Sequence, residues 1–265
     1  MRIIYDCFPG GKNKALTMSY DDGKIEDRRL VRLFNDYGIK GTFNLNSGLT
    51  EDRIPREEWK TLYQGHEIAC HTALHPTMER CTNEHLALEL LEDRKALEEI
   101  TGAPVRGLAY PNGSFDGRSP GILETCGIRY ARTVNSSHDF SMPKDYSHWN
   151  PTCSHKDPAL MSLADEFLGL FKKQYMYLFY VWGHSWNFTQ DDNWDLCERF
   201  LERIAGKEEI WYATNIEIAD YMDAASRMQV AVDASFAYNP SASPVWLMCW
   251  GQGAVECLPG RVTKL

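Results

Sequence analysis

Residues 15–23 read ALTMSYDDG, and the fold follows from how this stretch is read. A strand-length run of mostly apolar residues ends in two adjacent carboxylates and a glycine. The same grammar recurs at IKGTFNL (39–45), HEIACH (66–71), VRGLAY (105–110), IRYARTV (128–134), YMYLFYVW (175–182) and IWYAT (210–214), with helical patterns between the runs. Strands alternating with helices predict an α/β protein on a largely parallel sheet. The helices carry their own stops: Leu30, Leu33, Phe34 and Tyr37 share a face ended by Gly38, and Trp59, Leu62 and Tyr63 run to Gly65. A helix over Asn83–Thr101 sets Leu86, Leu90, Leu97 and Ile100 on one stripe before Gly102 and Pro104, and reads as a packing element. Another, from Asn193 to Ala205, uses Leu196, Phe200, Leu201 and Ile204. Beyond Ser226 the runs MQVAVDA and VWLMCW, separated by NPSASP and followed by GQGAVECLPG, predict a small antiparallel β appendage. The expected division is an α/β domain over 1–225 with the appendage, 226–265, packed on it.

The chain has 265 residues, 43% hydrophobic and 25% charged, a balance that excludes disordered, collagen-like and membrane-spanning classes. A domain of this size buries roughly 70–75% of its unfolded surface, so its core needs no staple and any metal is free to serve chemistry. The net charge of -9 argues against nucleic acid and against an anionic membrane surface as partners. Eight cysteines occur without a CxxC pair, which excludes a zinc ribbon or a thioredoxin-type dithiol and leaves buried thiols. MRIIYDCFPGGKNKAL lacks an apolar leader core, and no apolar run reaches eighteen residues, so a cytoplasmic location is expected. The oligomeric state is left open, a homo-oligomer included.

Chemistry-bearing residues gather just after the strands: Asp21-Asp22-Gly23, His71 to His75-Pro76, Tyr110-Pro-Asn112-Gly, and Gly183-His184-Ser185. Carboxyl ends of parallel strands share one side, where active sites assemble. Asp21 and Asp22 repel and lose hydration unless a cation or a shared proton relieves them, although a solvated turn closed by Gly23 is the plainer reading in isolation. His71 and His75 are spaced i, i+4, but Pro76 points to a compact loop, not a helix. HEIACH is a decoy, since a zincin needs HExxH. Asp22 with His71 and His75 makes a three-ligand set with open positions, as catalytic sites use. His184 on its own reads as a core histidine; on the same rim as the others it suits acid/base work. Gly183 before it would admit a substrate closely, and Trp182 and Trp186 are either core or a stacking wall for a sugar ring.

In order, SYDDG, HTALHP, RGLAYPNGSFD and YVWGHSW resemble the motif series of the polysaccharide deacetylases, carbohydrate esterases with a NodB homology domain, over residues 14–222. The resemblance implies a distorted (β/α)7 barrel of NodB type, here with the small C-terminal β appendage. It also implies one divalent metal, usually zinc with cobalt, nickel or another transition metal as variants, and hydrolytic removal of acetyl groups from N- or O-acetylated sugars. By position it makes Asp21 the general base, Asp22, His71 and His75 the metal ligands, and His184 the general acid. A backbone N–H near Tyr110 to Asn112 becomes an oxyanion donor. The family places an arginine beside its proline turn to touch the base carboxylate; here Arg106 lies farther upstream of Pro111. The Asp-Trp pair that orients the histidine has no clear counterpart, as Asp139 and Asp145 lack an adjacent Trp.

The leading expectation is a metal-dependent deacetylase acting on an acetylated sugar or oligosaccharide. The alternatives are a same-fold hydrolase of a small non-sugar amide and a non-catalytic metal- or carbohydrate-binding protein, for which Asp21 and His184 would be superfluous. Magnesium-dependent phosphoryl transfer is disfavoured by the two histidines and by the lack of a phosphate-cradling loop.

Overall fold

A computed structural model describes residues 3–265. The elements are β1 (Ile4–Cys7), β2 (Lys14–Asp21), α1 (Asp27–Tyr37), β3 (Gly41–Leu45), α2 (Arg56–Leu62), β4 (Glu67–Cys70), α3 (Asn83–Thr101), β5 (Gly107–Ala109), α4 (Ser119–Thr125) and β6 (Tyr130–Arg132). They continue with β7 (Cys153–Ser154), α5 (Leu160–Gly169), β8 (Tyr177–Gly183), α6 (Ser185–Gln190), α7 (Trp194–Ile204), β9 (Ile210–Tyr212) and α8 (Asn215–Ser226). The chain ends in β10 (Gln229–Val230), β11 (Phe236–Tyr238), β12 (Val245–Cys249), β13 (Gly253–Cys257) and β14 (Val262–Lys264).

Seven strands form one curled parallel sheet in the order β6-β5-β4-β3-β2-β8-β7. A parallel bridge from Arg132 to Trp149 joins β6 to the segment that leads into β7, so the sheet curls into a distorted (β/α)7 barrel. The seventh position thus belongs to β7, inside a loop with no strand signal, because two residues are too few to show periodicity. The run at 210–214 instead gives β9, which shares one edge of β2 with β3: β9 pairs Lys14–Leu16 and β3 pairs Met18–Asp21.

Every residue of β2 is buried, and its alternation sorts two chemistries. Leu16, Met18 and Tyr20 join the helix-side core with Leu30, Phe34, Phe43 and Phe179. Thr17, Ser19 and Asp21 belong to the opposite face, where Thr17 Oγ1 donates to Asn215 Oδ1 and Asn44 Nδ2 donates to Ser19 Oγ. The barrel interior is therefore a hydrogen-bonded polar column that leads up to Asp21. Helix ends follow the sequence: Gly38 and Gly102 cap α1 and α3 at φ 67 and 69, the left-handed region glycine adopts without strain.

The C-terminal strands are antiparallel, as expected, but one of their partners comes from the other end of the chain. β1 pairs with β12, Ile4 opposite Cys249 and Cys7 opposite Trp246, in the three-stranded sheet β1-β12-β13; β10-β11-β14 form a second. Of the eight cysteines, seven are buried and Cys81 is partly so. Among the described residues no helix is long and apolar enough to cross a membrane.

Candidate active site

The eight residues singled out from the sequence, Asp21, Asp22, His71, His75, Tyr110, Asn112, His184 and Trp186, all line one cavity of about 570 Å³ at the carboxyl end of the barrel. Period-2 alternation aims three of its walls, as Asp21 continues the inward set of β2 and His71 and His184 end those of β4 and β8, while Arg132 ends the inward set of β6.

Ligand atoms of Asp22, His71 and His75 lie within 4.8 Å of one another. His71 Nδ1 donates to the Ala109 carbonyl at 2.8 Å, which fixes the tautomer and leaves the Nε2 lone pair facing the cavity. Burial pushes its imidazole down to about 4, against the pull of Asp21, so the ring is neutral at pH 7, as a ligand must be. The loop is compact and non-helical, as Pro76 suggested, with Thr72 and His75 at φ 61 and 59. Asp22 (φ 81) and Asn112 (φ 56) are also left-handed, so three of the cavity residues hold conformations that side-chain-bearing residues rarely adopt. The indole N–H of Trp186 donates to Asp22 Oδ2 at 3.4 Å, which places this ring against the Asp22 carboxylate as well as on the cavity wall.

Asp21 stands beside this set. Its Oδ1 accepts from Asn44 Nδ2 at 2.8 Å, and its Oδ2 is paired with the Arg132 guanidinium. Burial alone would raise this carboxyl, but Arg132, His71 and His184 together outweigh it and hold Asp21 below the usual carboxylate range. His184 Nε2 is 3.9 Å from both Asp21 Oδ2 and Asp22 Oδ2, and its side chain is 26% exposed, open to the cavity.

Arg132 was not singled out from the sequence. It is fully buried, donates to the Thr133 carbonyl and lies over the Trp182 ring at 4.4 Å. Its signal was parity: an arginine at the carboxyl end of an apolar strand, two residues after inward Tyr130. Arg106 is elsewhere, in a two-bond pair with Asp220. Neither Asp139 nor Asp145 reaches His184; Asp139 accepts from Ser141, and Asp145 pairs with His148. Instead Asp27, at the start of α1, accepts from Ser185 Oγ beside His184 and from Tyr63 OH.

Two expectations are corrected. Gly183 does not admit a substrate: a Cβ there would lie 1.9 Å from His155 Nδ1, so the glycine makes room for a buried ring. That ring stacks between Tyr20 and Phe188, with neither nitrogen hydrogen-bonded. And α3 does more than pack. Its buried Glu89 and Asp93 face the His71–His75 loop, and their signal was a carboxylate at position 93 on the stripe of Leu86, Leu90 and Leu97.

The family profile described as Polysaccharide deacetylase matches residues 9–131, which contain Asp21, Asp22, His71 and His75. Over these residues the chain is similar to the polysaccharide deacetylases. A chitooligosaccharide deacetylase of Sinorhizobium fredii is 26% identical over 136 residues, 50% of this chain and 60% of that protein. The polysaccharide deacetylase fold extends past the profile: a Mycobacterium smegmatis structure assigned to the polysaccharide deacetylases superposes with a TM-score of 0.65 at 18% identity, covering 84% of this chain and 94% of that one. The fold also hosts other activities, since PuuE allantoinase superposes at a TM-score of 0.61 and 14% identity, over 80% of this chain and 91% of its own.

Proposed function

We propose that this protein is a metal-dependent hydrolase that removes acetyl groups from N- or O-acetylated carbohydrate. The observation that carries the reading is Asp21: a buried carboxylate held ionised by Arg132, next to a three-donor cluster but outside it. Binding an ion does not need such a group; activating water does.

Two imidazoles and one carboxylate suit zinc, with cobalt or nickel as chemically acceptable substitutes, and the neutral, tautomer-fixed His71 fits that role. When bound by Asp22, His71 and His75, the ion supplies Lewis acidity to the water and to the acyl oxygen. Asp21 takes the proton of the attacking water. The Tyr110 N–H already donates to the Arg132 carbonyl and Pro111 has none, so the Asn112 N–H is the donor left in this turn for the acyl oxygen as charge develops on it. His184 gives a proton to the departing nitrogen or oxygen as its bond to the acetyl carbon breaks, and acetate leaves. Trp182 and Trp186 flank the reaction centre as apolar walls for a sugar ring. A neighbouring cavity of about 810 Å³ shares Asp22, His75 and Trp186, room that favours a saccharide of more than one ring over a small amide.

The test is acetate release from a panel of N- and O-acetylated mono- and oligosaccharides, set against ammonia or formate release from small amides. Asp21→Asn is expected to keep the metal and to lose about 10²–10⁴ in rate. Turnover of amides but of no acetylated sugar would replace this reading with the amide hydrolase. A tightly held metal without any turnover would leave a binding protein.

A further inference from the structure

The loop that carries both ligand histidines is held from behind by α3. Asp93 is fully buried, outside the cavity, and each of its carboxylate oxygens accepts a backbone N–H: Oδ1 from Ser47 at 2.8 Å and Oδ2 from His71 at 3.0 Å. One turn earlier, the Glu89 carboxylate accepts the Leu74 N–H at 2.8 Å and its carbonyl accepts the Ala73 N–H at 3.3 Å. From the other side, Asn46 Nδ2 donates to the carbonyls of His71 at 2.7 Å and Thr72 at 3.0 Å. Between these anchors Thr72 and His75 sit in the left-handed region, at φ 61 and 59. Each costs of order 1–2 kcal/mol for such residues, so the segment keeps this shape only while its surroundings impose it. His71 is fixed at its N–H by Asp93 and by the Leu45 carbonyl, each at 3.0 Å, at its carbonyl by Asn46 and at its ring by Ala109.

We propose that Asp93, seconded by Glu89, is a positioning residue for the metal site: it holds the His71–His75 loop in its strained form so that both imidazoles converge on Asp22 before an ion arrives. The inference rests on the ligand assignment made above. Asp93 touches neither ion nor substrate, and it acts through the direction in which His71 and His75 point. An ion must otherwise supply the free energy that orders the loop, and its affinity falls accordingly.

The test measures zinc and cobalt dissociation constants by chelator competition on full-length protein, well below each variant's melting temperature, together with the visible spectrum of the cobalt form. Asp93→Asn keeps the size but turns a donor toward one of the two N–H groups; a 10–100-fold weaker affinity and an altered cobalt spectrum are expected. Loss of packing alone would lower the melting temperature and leave both readouts in place. Wild-type affinity and spectrum in folded Asp93→Asn overturn the proposal. Should Asp93→Asn fail to fold, Glu89→Ala decides: it removes the Leu74 anchor, together with a contact to exposed His85 that lies away from the ligand loop, a several-fold weakening supports the proposal, and unchanged affinity overturns it. Wild type and His75→Ala are measured alongside. Binding lost only in His75→Ala validates the ligand assignment independently of Asp93, whereas absent or undiminished binding in both overturns that assignment and the proposal with it.

Discussion

Replacing Arg132 by methionine would strand the Asp21 carboxylate. The pair is almost wholly inaccessible, with side chains 0% and 3% exposed, and among the described residues the only other hydrogen bond to the carboxylate is that from Asn44. Removing one partner of such a pair costs about 3–5 kcal/mol because the other charge stays buried. In a domain of this size that corresponds to a melting temperature lower by about 6–20 °C. Asp21→Asn leaves the guanidinium stranded instead and carries a comparable cost. The double variant strands nothing, so the two single losses are expected to exceed the double loss by about 2 kcal/mol or more. The assay is urea denaturation of the four proteins at fixed ionic strength with a chelator present, so that no ion compensates for the missing charge. A second readout is the pH profile. Without Arg132, burial dominates the Asp21 carboxyl and raises it, so the acid limb of acetate release in metal-loaded Arg132→Met moves to higher pH. Single losses that simply add, with a coupling under about 0.5 kcal/mol, would refute the reasoning that Arg132 keeps the base ionised.

His184→Ala is expected to slow hydrolysis of an N-acetyl sugar by about 10²–10⁴ while sparing an aryl acetate whose leaving group needs no proton; equal losses on both would remove His184 as acid. Burial raises the Glu67 carboxyl to about 7, despite donors from Ile216 N, Tyr130 OH and Thr42 Oγ1. The folded state therefore holds a proton that the unfolded chain releases near 4.5. The stabilisation is complete below that pH, falls by about 1.4 kcal/mol per pH unit as pH rises toward 7, and is gone above it. Urea midpoints between pH 5 and 8 should show Glu67→Gln with a flatter decline than wild type, and parallel curves would count against the buried proton. Gly183→Ala drives a methyl into His155 and is expected to cost at least about 1–3 kcal/mol, whereas His155→Phe, which removes two unpartnered nitrogens, is expected to change stability by no more than about 1 kcal/mol. Calorimetry of both variants checks the contrast.

The barrel and its rim were legible because the strands repeat one pattern: an apolar run, then a turn bearing Asp, His or Asn. That pattern located Asp21, Asp22, His71, His75 and His184 without any knowledge of which strands are neighbours. Arg132 was missed because its partner is 111 residues away in sequence, and only the closure of β6 against the 149–154 segment brings it beneath Asp21. Asp93 was missed for a different reason. Its apolar stripe was read for hydrophobic residues, and the odd carboxylate among them was passed over although such a group must have buried donors to face. β7 left no trace in the sequence, since what makes it a strand is the edge of β8 and not its own two residues.

The pairing of β1 with β12 orders events in time. Ile4–Cys7 is synthesised well before the strand that completes its hydrogen bonding, Val245–Cys249. Until Val245–Cys249 is made this edge waits open while the barrel forms behind it. Chaperone occupancy on nascent chains should therefore persist at β1 until translation has passed β12, and slowing the codons of β12 should raise the yield of aggregated protein more than slowing those of the barrel.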